Sequence, residues 1–238
     1  MAVAQTDLVP VSFSEINAEE LNASDSRVLD AELLAIANEV RTANTLAPLG
    51  ADEGLAAVAR AHARDMALRG YVGYADPSGI SLLDQVRMTY RTALIGSFGS
   101  SIAVLDAKAT PAEIHAAIQS DPANAENLRR GFDRAGIGSF ESEGRLYVVQ
   151  LFARIAGELS KPLPMQLTEA TLLEPSLVSN SMTPVGWSLS NENGELLARG
   201  GGRRILSSRT EPVAGFLNLD VAVGNDVYTL RGPYVQVK

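Results

Sequence analysis

The chain has 238 residues, 46% of them hydrophobic and 20% charged, with a formal net charge of −8 at pH 7, a composition typical of a soluble globular protein. The acidic balance argues against nucleic acid as a partner, because that binding depends on Lys and Arg neutralising phosphates. The absence of cysteine excludes disulfides, thiolate catalysis and Cys-based zinc sites.

Residues 1–25 are polar with short apolar runs, and we predict that they form an extended arm. The first residues lack the basic and apolar regions of a signal peptide. The sequence therefore indicates either a protein that is not exported or a mature form from which a signal has been removed. No run reaches the ~18 apolar residues of a membrane span.

Two long helices follow, each indicated by one apolar stripe with helical spacing. The first is predicted from about Asp25 to Asn44, and the second is predicted to end at Gly70, a residue type favoured just past a helix end. The stripes consist of Leu29, Leu33, Ile36 and Val40 in the first helix, and of Leu55, Val58, Ala59, His62 and Met66 in the second.

Shorter elements come next. Residues 76–79 (Asp-Pro-Ser-Gly) predict a turn, and residues 82–88 a short helix. Thr110, Pro111 and Glu113 have the spacing of a capping box with proline in the first helical position. Residues 121–124 offer a second helix start close behind.

The period then changes to two, which predicts strands. Residues 135–140 and 145–152 predict a hairpin, and the prolines in residues 161–164 mark a domain boundary. Beyond it, short apolar runs alternate with turn residues: 187–190, 195–198, 216–219, 221–223, 227–230 and 234–237. The predicted fold is α+β, with a small all-β sandwich or barrel domain at residues 162–238.

Residues 32–154 resemble the CAP superfamily (cysteine-rich secretory proteins, antigen 5 and pathogenesis-related proteins, also called SCP-like) in its cysteine-free bacterial form. The matching segments occur in the family's order, and no single motif is decisive. They are residues 33–41, 55–66, 76–79, 99–103, 110–128, 132–138 and 147–152. The resemblance implies a CAP domain, an α-β-α sandwich, at residues 26–156.

Three positions depart from the family's pattern. Family members typically carry two histidines and acidic residues in a central cleft, which binds a divalent metal in some of them. Tyr74 stands at the first histidine position, Ser100 at that of a glutamate, and Asn124 at the second histidine position. These side chains are neutral at pH 7, are poor metal ligands and are poor general bases without a partner.

The cleft therefore predicts neither a metal site, nor a cofactor, nor catalysis. Two interpretations of the three residues Tyr74, Ser100 and Asn124 are open. They form a polar pocket for an uncharged ligand, such as a sugar hydroxyl, or they are residues left by mutational drift after the function was lost. Ser100 lacks the context of a nucleophile elbow.

The two histidines do not form a metal motif. His62 lies on an apolar stripe and is interpreted as a core histidine hydrogen-bonded to a neighbour. His115 is predicted to face solvent.

Residues 199–204 form the one basic concentration. Its arginines predict a solvated hairpin end or, alternatively, contact with an anionic surface or polysaccharide; they are Arg199, Arg203 and Arg204. Trp187 is interpreted as core packing of the β domain.

The favoured hypothesis is a non-enzymatic extracellular or envelope-associated protein, a pseudoenzyme in which the CAP domain binds a protein, a glycan or a lipid surface. Secretion and lipid binding are implied by the resemblance alone. One alternative is a structural component of a virion or surface appendage, whose arm would suit a homo-oligomer. The other is a hydrolase with unidentified cleft residues.

Overall fold

The computed structural model describes residues 24–167, 171–202, 204–205 and 213–237. Within these parts every helix is too short or too polar to cross a membrane. The predicted arm lies outside the described residues, apart from its last two, which begin the first helix. The helices are α1 (Ser24–Ala43), α2 (Glu53–Arg69), α3 (Leu82–Thr89), α4 (Pro111–Gln119) and α5 (Pro122–Asn127).

The strands assemble around one long mixed sheet. Its main path runs β1-β3-β4-β2-β12-β11-β8-β9, with β5 beside β12 and β7 beside β4, while β6 and β10 pair separately. The strands are β1 (Gly50–Ala51), β2 (Ala93–Asp106), β3 (Arg134–Ser142), β4 (Arg145–Leu159), β5 (Gln166–Leu167), β6 (Thr171–Leu172), β7 (Pro175–Leu177), β8 (Met182–Ser190), β9 (Leu196–Gly201), β10 (Arg204–Ile205), β11 (Val213–Val223) and β12 (Asp226–Val237).

The predicted helices are present, and their ends show the expected capping. Gly70 ends α2 in the left-handed region, with φ 69°. At α4 the Thr110 hydroxyl accepts from the Glu113 amide, and the Glu113 carboxylate accepts from the Thr110 amide at 2.8 Å. The capping box predicted from the sequence is confirmed.

Helices cover both faces of the sheet, which confirms the α+β class and the α-β-α arrangement. The alternation of β4 divides its side chains between the two faces. Leu146 and Val148 pack with α1 and α4 on one face, whereas Val149 and Leu151 pack with α2 and α3 on the other.

One strand was missed, and two expectations about strands were wrong. Strand β2 was not predicted because it is rich in Gly and Ser, and its pairing with β4 from Ala93 to Asp106 outweighs that poor propensity. Residues 216–223 and 227–237 were each predicted as two strands and form one each, β11 and β12. A register shift between Phe216 and Asn218 accommodates Gly232 and Pro233.

The strands after residue 162 extend the same sheet. Strand β12 pairs with β2 where Arg231 lies opposite Ile95. Leu94 and Ala156 from the first part pack in one core with Leu217 and Leu219 from the second. The predicted division into two domains stays a prediction.

A buried charge cluster links α1 to β3. Asp30 accepts a hydrogen bond from the Ser139 hydroxyl at 2.8 Å and lies 3.5 Å from an Arg60 guanidinium nitrogen. Burial raises the pKa of Asp30 to about 6, although Ser139 and Arg60 act in the opposite direction. The folded state therefore holds this proton more tightly than the unfolded chain does.

The sign of the resulting pH dependence follows from linkage. Stability contributed by protonated Asp30 is fully present below about pH 4 and is lost as the pH rises to about 6. We expect Asp30→Asn to gain up to about 3 kcal/mol over the wild type between pH 4 and pH 7. Urea unfolding at both pH values checks this. Glu126→Gln, at an exposed site, is the control, and a difference independent of pH would contradict the expectation.

Candidate functional site

Tyr74 lies in the loop between α2 and α3, residues 71–81. Its carbonyl accepts from the Leu82 amide at 3.0 Å, and Ala75 forms a β-bridge with Ser81. The Asp76 carboxylate accepts from the amides of Ser78 and Ile80, both at 2.9 Å, which closes the predicted turn. The sequence thus fixes the loop locally and presents Tyr74 at the surface, 47% exposed.

Asn124 approaches Tyr74 from the short helix α5. Pro122 occupies the first turn of that helix, and the Asp121 side chain accepts from the Ala123 amide, so the predicted helix start is confirmed. The Tyr74 hydroxyl donates to Asn124 Oδ1 at 3.2 Å. Two of the three predicted cleft residues, 50 positions apart in sequence, are therefore in contact.

Ser100 is connected to the same helix through its main chain. Asn127, one turn after Asn124, donates from Nδ2 to the Ser100 carbonyl at 2.9 Å and to the Ser101 hydroxyl at 3.1 Å. By strand alternation the Ser100 side chain shares a face with Phe98 and Ile102, which pack against the α2 side. The Ser100 carbonyl is therefore tied to α5, whereas its side chain makes no hydrogen bond to Tyr74 or Asn124.

Asn127 was missed as a site residue. It was not predicted, although its spacing of three from Asn124 places both side-chain amides on one helix face. Gly99 makes room for it, because a Cβ at this glycine would lie 2.6 Å from Asn127 Oδ1 and 2.9 Å from the Phe132 ring. The glycine that precedes Ser100 is thus explained by close packing.

The site is polar and uncharged at its three predicted positions. Asn124 Nδ2 and Ser100 Oγ have no hydrogen-bond partner among the described residues. A phenol, an amide and a hydroxyl do not fit a divalent metal, which prefers imidazole or carboxylate ligands. Across the described ranges, no group of three or more His, Asp or Glu side chains is placed to hold a metal ion. The arrangement can exchange hydrogen bonds with a neutral ligand.

The histidines lie outside this trio. His62 is 1% exposed and hydrogen-bonded to Gly73 and Gln85, which confirms its interpretation as a core histidine. His115 is half-buried rather than solvent-facing, and burial lowers its pKa. The expectation for His115 was wrong because Ile114 and Ile118, buried in the core, hold α4 close to the rest of the protein.

The basic segment lies on the C-terminal strands. Arg199 on β9 and Arg204 on β10 are exposed, and Arg203 lies outside the described residues. Trp187 is buried in the C-terminal core, as predicted, and its indole nitrogen donates to the Arg204 carbonyl. Contact of these arginines with an anionic surface stays a prediction.

Comparison with known proteins finds a matching family model and two similar solved structures. The model of the cysteine-rich secretory protein family (CAP) matches residues 34–152, half of the chain. A solved structure of an extracellular protein with an SCP domain from Bacillus anthracis str. Ames is similar at 22% identity and a TM-score of 0.46. The similarity covers 54% of this chain and only 41% of that protein.

A second similar structure is an outer surface protein from Borrelia burgdorferi, at 18% identity and a TM-score of 0.46. The similarity covers 56% of this chain and 94% of that one. No curated protein matches the chain.

Proposed function

The chain belongs to the cysteine-rich secretory protein (CAP) family, and from this we propose that it is a non-enzymatic binding protein of the cell surface or the extracellular space. The hydrogen bond from Tyr74 to Asn124 is the observation that supports this most directly. By the resemblance, these two neutral residues stand where relatives carry imidazoles, and Ser100 stands where relatives carry a carboxylate. Such a cleft lacks a general base and a metal-binding set, so it is suited to binding rather than turnover.

The ligand class follows from the free polar atoms. An exposed aromatic ring beside an amide donor can stack on a sugar ring and hydrogen-bond its hydroxyl groups. The binding partner is therefore an uncharged, hydroxyl-rich ligand such as a neutral glycan on a surface. A charged ligand would leave its charge without an opposite partner among these three residues.

The test is a glycan array followed by calorimetric titration of the best neutral oligosaccharide. We expect Tyr74→Ala to weaken binding at least tenfold, because it removes both the ring and the hydroxyl. Asn124→Ala and Ser100→Ala should each cost roughly fivefold, about one hydrogen bond. Tyr228→Ala is the matched control, since Tyr228 is an exposed tyrosine on β12.

Two outcomes would count against the proposal. One is unchanged affinity in Tyr74→Ala; the other is hydrolysis of the bound glycan that Ser100→Ala abolishes, which would support the hydrolase alternative. Zinc and magnesium serve as control ligands. At millimolar concentration they should leave the melting temperature unchanged, because a cation held by the native state would raise it.

A further inference from the structure

Gln150 on β4 is an amide inside the apolar core. It is 1% exposed, and its side chain lies on the same face of the sheet as those of Val148 and Phe152. These two residues belong to the apolar clusters that contain Leu33 and Ala37 of α1. The Gln150 Nε2 atom is buried and has no hydrogen-bond partner among the described residues. A buried amide left in this way costs free energy, so such groups in folded proteins are nearly always paired, with protein or with ordered water.

The strands on either side of Gln150 carry small side chains on this face. Ser101 on β2 and Ile137 on β3 lie directly opposite Gln150. When the diagonal neighbours on the same face are included, five of the six surrounding positions on β2 and β3 hold glycine, alanine or serine: Gly99, Ser101, Ala103, Ala135 and Ser139. The surface of the sheet is therefore recessed around the amide, between Val148 and Phe152.

Two further polar groups border this recess. Asn127 on α5 donates to the Ser101 hydroxyl at 3.1 Å and to the Ser100 carbonyl at 2.9 Å. Both bonds use Nδ2, so Asn127 Oδ1 is available as an acceptor, and it lies 2.6 Å from the position that a Cβ at Gly99 would take. Ser101 is 0% exposed and accepts from Asn127, which leaves its own hydroxyl proton to donate. An amide donor, an amide acceptor and a hydroxyl thus meet beside Gln150.

We propose that the recess is a binding site for a single internal water molecule, held by Gln150, Asn127 and Ser101. A buried water typically makes about three hydrogen bonds to polar groups that lack other partners, and these side chains supply that number. Water both donates and accepts, so it satisfies Gln150 whichever end of the amide faces it. The three groups are uncharged, which disfavours an ion in the same place.

The water site extends the polar contacts of the cleft into the core. The Tyr74 hydroxyl donates to Asn124 Oδ1 at the surface, and Asn127 on the same helix contacts Ser101 in the interior. A water bound to Asn127 from below holds α5, and with it Asn124, against β2. The inference goes beyond the proposed function, because the amide needs a partner whether or not the cleft binds a glycan.

The first test counts long-lived internal waters in the full chain without ligand, by magnetic relaxation dispersion of the water oxygen. We expect Gln150→Met to hold about one such water fewer than the wild type, because methionine keeps the length of the side chain but has no amide. Gln166→Met is the matched control, since it makes the same replacement at an exposed glutamine on β5 and should leave the count unchanged. An unchanged count in a folded Gln150→Met protein would overturn the proposal.

The second test leaves Gln150 in place. In the wild type we expect NOE and ROE cross-peaks of opposite sign between water and the Gln150 side-chain amide protons, the signature of a water that stays bound while the protein tumbles. Because the Ser101 hydroxyl proton exchanges with water and gives a similar signal, the measurement is repeated on Ser101→Ala, where the cross-peaks should persist. Their loss in Ser101→Ala together with one water would still place the water beside Ser101.

Two results of the second test would contradict the site. One is the absence of the cross-peaks in the wild type; the other is their loss in Ser101→Ala with an unchanged water count, which would assign them to the hydroxyl proton. Failure of the cleft to bind a glycan would count against the proposed function alone, since neither measurement uses a ligand.

Discussion

Replacing Gly138 with alanine is expected to destabilise the fold by at least about 3 kcal/mol. A Cβ at this position would lie 2.2 Å from the Arg60 amide nitrogen and 2.6 Å from the Ala59 carbonyl carbon. Both are main-chain atoms of α2, so no side chain can rotate away from the new methyl group. The helix would have to lift off the sheet.

Gly136, two residues earlier on the same face of β3, shows the same contact. Its Cβ would lie 2.1 Å from the Ala56 amide nitrogen. The two glycines allow the main chain of α2 to pack directly against β3. Moving the helix away would expose Leu55 and Val58, both buried beneath it. Gly136→Ala should therefore be as damaging as Gly138→Ala.

Urea unfolding followed by circular dichroism measures the effect. Gly131→Ala is the matched control, because nothing lies within 4 Å of its Cβ position. It should change stability by less than about 1 kcal/mol. If Gly138→Ala kept stability within 1 kcal/mol of the wild type, direct contact between helix and strand would be disproved.

Local signals made much of the fold predictable. The α2 stripe, the Gly70 helix end and the capping box at Thr110 each involve residues within a few positions of one another. Such signals act before any long-range contact forms, so the sequence alone contains them. The predictions for these elements agree with the structure.

Long-range pairing made the rest unpredictable. Strand β2 contains Gly96 and Gly99, which disfavour a strand locally, and it forms because β4 supplies a partner along its length. Pro233 predicted a break in the strand, because proline has no backbone N–H for the sheet. The register shift in the neighbouring strand accommodates it, and a rule based on local sequence cannot anticipate that shift. In both cases the deciding contact lies far away in sequence.

The site was predictable only through resemblance. No spacing rule relates Tyr74 to Asn124, and the family's order of segments placed them in one cleft. The contribution of Asn127 depends on its reach to the Ser100 carbonyl, which only the packing of α5 against β2 reveals. The positions of polar main-chain groups at a strand edge depend on the fold, so the types of residue alone do not predict them.

Replacing Arg87 with methionine is expected to cost about 3–5 kcal/mol. Arg87 on α3 is buried, and it donates from Nε to the Gly232 carbonyl at 2.7 Å and from Nη2 to the Leu217 carbonyl at 2.8 Å. It also binds Asn218 Oδ1 at 2.9 Å and lies over the Phe216 ring. Methionine would fill the space but leave these carbonyls without donors.

The charge itself is held by neutral acceptors. Burial lowers the pKa of Arg87 to about 10, which leaves the guanidinium protonated at neutral pH. Its fork reaches two strands, β11 and β12, that lie 130 to 145 residues further along the chain. Arg87→Lys should recover only part of the loss, since an ammonium lacks the planar fork that serves several acceptors at once.

The measurement compares two signals during urea unfolding of Arg87→Met. Trp187, the single tryptophan, reports on the C-terminal core by fluorescence, and far-ultraviolet circular dichroism reports on the helices. We expect the signals to coincide in the wild type and to separate in the variant, because Arg87 joins α3 to the C-terminal strands. Arg129→Met, at an exposed site, should change the free energy of unfolding from either signal by less than about 0.5 kcal/mol. An Arg87→Met protein with wild-type midpoints would show that the shared sheet and core alone hold the two parts together.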